Sequence, residues 1–207
     1  MKNILHTKKK SSLKTRKKLV LWWLFLVISL LSSAVAGLSF ITTEGNYKKL
    51  SLYFEIAFIS IILLTLLVTV INRKSIHTWI FNLIPIIPIG ICSTIMILKP
   101  GLSEDIFAFY VGFSILFSGF ITISYSFTLK SLKNKLWSIV LSFSLISILL
   151  STALLLFPIH EQYTLMLWTG IALIGLSVDF FILAFVSLYS NINQKKKATS
   201  VVSPVDL

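Results

Sequence analysis

Cysteine is nearly missing from this sequence. Cys92 stands alone, so neither an internal disulfide nor a paired-thiolate site is available. Its place within an apolar run reads as a small packing residue. Acids are also scarce, with 7 Asp+Glu against 19 Lys+Arg in 207 residues. In a soluble protein that surplus points to nucleic acid. Here the basic residues flank long apolar runs, so retention of Lys and Arg beside membrane spans explains them, and nucleic acid is set aside. The signatures of enzymes are lacking as well. The sequence has no H-E-x-x-H, no phosphate-binding G-K-[ST] loop and no G-x-S-x-G. His6, His77 and His160 are scattered along the chain, which makes a zinc site untenable. No catalytic residue, cofactor or metal is therefore assigned, and the expectation is a protein that is not an enzyme.

Apolar residues dominate instead, at 56% with a mean hydropathy of +0.92. A soluble domain rarely exceeds about 50%, so the excess must face something other than water. An α-helix rises 1.5 Å per residue, and about 20 apolar residues cross a bilayer core. Six stretches are long enough: Val20 to Ile41, Ser51 to Ile71, Thr78 to Leu98, Asp105 to Leu129, Leu136 to Phe157 and Tyr163 to Ser190. None alternates apolar with polar residues as a membrane barrel strand does. The expected fold is an all-α integral membrane bundle of six transmembrane helices, with the lipid bilayer as its first partner. Short polar connections force neighbouring helices to run antiparallel. Pro85 and Pro88 predict a local kink in the third span.

Direction follows from the positive charges. Sixteen of the 19 Lys and Arg fall on one side, including eight in the tail from Lys2 to Lys18. Lys48, Lys49 and Lys99 are on the other. Both termini are thus expected in the cytoplasm of a cell-membrane protein. Trp22, Trp23, Trp79 and Trp137 agree, each standing where an odd-numbered span leaves its basic flank, while Tyr163 and Trp168 mark the outer entry of the last. The basic start followed by Ala34-Val35-Ala36 resembles a signal peptide. The apolar run continues to Ile41, however, so an uncleaved anchor is expected. Domain organisation reads as a basic cytoplasmic tail (1–18), a transmembrane domain (19–190) and a polar cytoplasmic tail (191–207). The N-terminal tail can also hold anionic lipid headgroups, and a homo-oligomer is compatible with the sequence.

A period of 58 residues runs through the chain: Trp79 aligns with Trp137, Pro100 with Pro158, Gly112 with Gly170 and Phe127 with Phe185. The unit is a hairpin, giving three in tandem over 20–71, 78–129 and 136–190, the first a degraded copy. Pro100 and Pro158 suit the outer turns because proline cannot continue a helix. Gly112, Gly119, Gly170 and Gly175 suit close helix packing. So do four serine pairs or series at four-residue spacing: Ser29-Ser33-Gly37, Ser114-Ser118, Ser138-Ser142 and Ser147-Ser151.

On these residues the region from Trp79 to Ser190 resembles the short repeat of the HdeD-like membrane proteins. The match rests on Pro100, Gly112 and Gly119 in one copy and on Pro158, Gly170 and Gly175 in the other. Ser177, not Gly175, is the 58-residue equivalent of Gly119. The resemblance implies a six-span inner-membrane protein and a role in tolerance of acid or envelope stress. The alternative is a small transporter, channel or substrate-binding membrane subunit with a polar path near Asp179 and Ser144.

Asp179 is the residue most able to carry chemistry. An ionised carboxylate at that depth costs about 2.5–3.5 kcal/mol even on lenient scales. It reads either as a proton-accepting group or as a neutral acid hydrogen-bonded to serine or backbone on another helix, with Asn82 and Tyr125 as candidate partners. Glu55 is expected at the lipid headgroups. Glu44, Glu104, Asp105, His160 and Glu161 are expected at the outer loop tips.

Overall fold

A computed structural model describes residues 21–41, 47–73, 79–99, 104–156 and 162–202. They form seven helices and, among the described residues, no strand. The helices are α1 (Trp23–Ile41), α2 (Tyr47–Ile71), α3 (Trp79–Leu83), α4 (Ile86–Leu98), α5 (Glu104–Ser131), α6 (Trp137–Leu156) and α7 (Gln162–Val202). Six segments are long and apolar enough to span a membrane: Trp23–Ile41, Ser51–Ile71, Trp79–Leu98, Ile106–Ser131, Trp137–Leu156 and Met166–Asn193. The protein is an all-α, multi-pass membrane protein. Hydrocarbon cannot satisfy free amide groups, so each span must close its backbone hydrogen bonds within itself. Leu30, Leu63, Phe81, Leu149 and Phe185 stand more than half exposed around the bundle. A water-facing surface would not tolerate that much contiguous apolar area, whereas lipid does.

The helices close into a ring. α1 packs on α2, α2 on α4, α4 on α5, α5 on α6, α6 on α7 and α7 back on α1, while α5 also meets α7 across the middle. Side-chain pairs fix the directions. Phe25 stacks on Phe180 and Ser29 meets Ser177, so α1 and α7 run antiparallel. Gly119 lies against Ile148 while Ser126 bonds to Trp137, so α5 and α6 do the same. One end of the bundle therefore gathers Trp23, Arg73, Lys130, Lys133 and Trp137, with Lys99 at the other. The most extensive interfaces, α1 with α7 and α5 with α6, join different repeat units. Phe25, Phe54, Phe58, Tyr125 and Phe180 fill the interior.

Pro85 separates α3 from α4, because its ring nitrogen cannot donate to the Phe81 carbonyl. Pro88 follows in the first turn of α4, where a missing donor costs nothing. Between α5 and α6 the amide of Lys133 donates to the Lys130 carbonyl at 2.9 Å and that of Asn134 to the Leu129 carbonyl at 3.1 Å. This is a Schellman stop with Lys133 at the left-handed position, φ 57°. Asn134 then ties the turn to α7: its Nδ2 donates to the Val186 carbonyl at 3.2 Å, and its Oδ1 accepts from the Leu136 amide at 2.9 Å.

Several expectations change. On α1 the buried face is Ser29, Ser32, Ala36 and Ser39, whereas Ser33 is exposed and a Cβ on Gly37 would meet nothing within 4 Å. On α6, Ser138 and Ser142 are exposed and Ser144, Ser147 and Ser151 are buried. A four-residue step overshoots the 3.6-residue turn by about 40° each time, so a contact face follows alternating threes and fours. α7 continues past Ser190 into the segment read as a polar tail, since Asn191 to Val202 holds neither proline nor glycine. The tail 1–18, Pro100, Pro158, Glu44, His160 and Glu161 lie outside the described residues.

Candidate functional site

Asp179 is fully buried on α7, facing α5 and α6. Thr122 Oγ1 donates to its Oδ2 at 2.6 Å and Ser144 Oγ to its Oδ1 at 3.0 Å. The same hydroxyls also lie 2.8 Å from carbonyls of their own helices, those of Gly119 and Val140. Each hydroxyl carries one hydrogen, so two hydrogens face four acceptors. A neutral carboxyl supplies a third: its O–H can donate to one hydroxyl, which turns its own hydrogen to the helix carbonyl. The arrangement therefore accommodates an uncharged acid with every hydrogen placed. An ionised one would have to rely on the two hydroxyls alone in a medium that penalises charge. Among the described residues, the hydrogen-bond partners of Asp179 are hydroxyls on two helices, and no acid or base completes a relay.

Asn82 and Tyr125 are not its partners. Tyr125 lies one turn beyond Thr122 on α5 and turns towards α1 and α2. Its hydroxyl pairs with Thr69 Oγ1 at 2.9 Å and its ring meets Phe25 edge-on at 4.9 Å. Asn82 lies beside this pair, its amide oxygen and nitrogen both buried without a hydrogen bond of good geometry. Thr122 was the missing partner. The signal was present as a hydroxyl every fourth residue along one span, Ser114, Ser118, Thr122 and Ser126. Glu55, expected at the headgroups, is buried at 7% exposure, because its face of α2 turns inward beside Phe54 and Phe58.

No protein-family model, curated protein or solved structure matches the chain.

Close backbone approach holds the site's geometry. A Cβ at Gly119 would fall 2.7 Å from Ile148 Cγ1, and one at Gly112 3.1 Å from Leu155 Cδ2. At Gly175 it would fall 3.0 Å from Leu150 Cδ1, and at Gly170 2.8 Å from Phe40 Cζ. Three of the four glycines thus bring α5 or α7 against α6, on either side of the carboxyl. Ser177 adds α1: its Oγ donates to the Ser29 carbonyl at 2.9 Å. Among the described residues no group of three His, Cys, Asp or Glu could hold a metal.

Proposed function

We propose that this is a non-enzymatic membrane protein of the HdeD-like type, serving tolerance of acid or envelope stress as a packed bundle and not as a conduit. The observation that carries the reading is Asp179, whose two oxygens are both engaged by protein hydroxyls on α5 and α6. A carboxyl so held acts as a three-helix cross-link and has no free face to offer a solute. The aromatic filling of the interior by Phe25, Phe54, Phe58, Tyr125 and Phe180 supports the same reading. Both termini are assigned to the cytoplasm of a cell membrane, where the tail from Lys2 to Lys18 engages anionic headgroups. The tandem-hairpin repeat belongs to this proposal too. Survival of a deletion strain after an acid pulse tests it: restoration by the wild-type chain is expected, and unchanged survival without it would sink the stress role.

A second reading, a small transporter, channel or substrate-binding membrane subunit, draws on the buried hydroxyls of Ser32, Thr65, Ser93 and Ser147, which have no hydrogen-bond partner. It requires solute flux in proteoliposomes that is lost in Asp179→Asn. The packed-bundle reading expects none from either chain.

A further inference from the structure

The short helix α3 is tied to the bundle by an unsuitable residue. Of its five residues, Trp79, Ile80 and Phe81 are exposed and Leu83 is half-buried, so only Asn82 is wholly inside. An apolar side chain there would anchor the helix by packing, whereas a buried amide anchors it only when hydrogen-bonded. Both polar atoms of Asn82 lack a bond of good geometry. Beside them stands the Thr69–Tyr125 pair, 2.9 Å between its oxygens. That pair carries two hydrogens and spends one on itself, which leaves one for the amide oxygen. The joint with α4 is weak as well. Pro85 and Pro88 deprive the Phe81 and Ile84 carbonyls of their usual donors. The amides that bridge the break, Ile84 to the Ile80 carbonyl and Ile87 to the Ile84 carbonyl, are both stretched to 3.3 Å. On the lipid side a groove of about 430 Å³ parts Phe81 and Ile84 from Phe120 and Phe127 on α5, so that flank of α3 is not packed against protein.

We infer that α3 is a hinged flap with two positions, turning on the break at Pro85. In the inner position the Asn82 amide closes onto the Thr69–Tyr125 pair, and α2, α3 and α5 are bonded together near the basic end. In the outer position the amide lies at the membrane interface, where water serves both of its atoms, and the Thr69–Tyr125 pair keeps its own bond. The path between them is short. Asn82 is three residues from Trp79, about 4.5 Å along the helix axis, so a rotation of α3 brings it to the interface without a passage through hydrocarbon. Bonds to protein on one side replace bonds to water on the other, a near-even exchange that leaves both positions populated. α4, beyond the break, stays with the bundle through its buried Ile86, Ile89 and Met96.

Spin-label distances in the full chain, held in phospholipid nanodiscs, test the flap. Labels at Ile80→Cys on α3 and Ile139→Cys on α6, both exposed positions, are placed in a Cys92→Ser background. Double electron–electron resonance should give two distances for this pair. A control pair, Ile91→Cys with Ile139→Cys, has its first label beyond the break on α4 and should give one. Asn82→Leu keeps the outline of the side chain and removes the amide, so it should cut the outer population about ten-fold, within the range a buried unpartnered amide costs. Pro85→Ala returns a donor to the Phe81 carbonyl and should leave a single distance. Tyr125→Phe keeps the ring against Phe25 and should shift the balance outward. A single distance between positions 80 and 139 in the wild type would overturn the inference. So would two distances that persist unchanged in both Asn82→Leu and Pro85→Ala, or the same spread in the control pair.

Discussion

Thr122→Val offers the sharpest measurement on the buried carboxyl. The substitution keeps the side chain's shape and removes one hydroxyl, and with it the 2.6 Å bond to Asp179 and the 2.8 Å bond to the Gly119 carbonyl. Hydrogen bonds between helices in a membrane protein are worth about 0.6 kcal/mol on average and at most about 1.7. The backbone carbonyl of Gly119 keeps its helical donor, so the expected loss is about 1 kcal/mol. Asp179→Asn has the same outline and keeps one acceptor and gains a donor, so it should cost about 1 kcal/mol or less. Reversible unfolding in mixed micelles, followed by far-UV circular dichroism, would give both values and their double mutant. A coupling near 1 kcal/mol is the expected result. Two outcomes would refute the reasoning. No coupling would mean that the bond is absent. A loss of about 3–5 kcal/mol in Thr122→Val alone would be the cost of a buried charge stripped of its partner, not of a neutral acid.

Other consequences follow from the packing. Gly119→Val should loosen α5 from α6 and cost about 1–3 kcal/mol, because its Cβ has only 2.7 Å to Ile148; a neutral effect in the same unfolding assay would contradict the close approach. Gly37→Ala, with nothing within 4 Å, should instead stabilise by about 0.4–1 kcal/mol. Lys133→Gly relieves a left-handed lysine at φ 57° and should raise stability by about 1 kcal/mol; a loss would show that the side chain has a role outweighing the strain. Single cysteines replacing Arg73 and Lys99 should react with an impermeant thiol reagent from opposite faces of sealed vesicles. Labelling from one face would overturn the span count.

The spans could be read to within three residues at each end, because length and hydropathy act locally and one physical requirement governs all six. The kink at Pro85 was legible for a similar reason. Of the partners of Asp179, a serine on another helix was legible and Thr122 was not. Asn82 and Tyr125 were chosen for polarity and depth alone, but which face of α5 meets α7 depends on how the bundle turns, and that is settled by contacts far apart in sequence. Thr122 and Tyr125 are only three residues apart, yet they point into different interfaces. The serine stripes failed at Ser33, Ser138 and Ser142 on the same ground: a four-residue count is not a helical face. Ser114 and Ser118 are both fully buried, since the span they occupy packs against α4, α6 and α7 at once.

The double allegiance of Thr122 and Ser144 bears on how the molecule comes together. Before its neighbours arrive, each of these two hydroxyls can rest against a carbonyl of its own rod, at 2.8 Å in both cases, and so enter the lipid without an exposed hydrogen. The carboxyl belongs to the segment synthesised after both, and it finds two hydroxyls waiting, one to turn and donate and one to accept. Insertion and docking can then be separate events, with the last rod locking a bundle already in place.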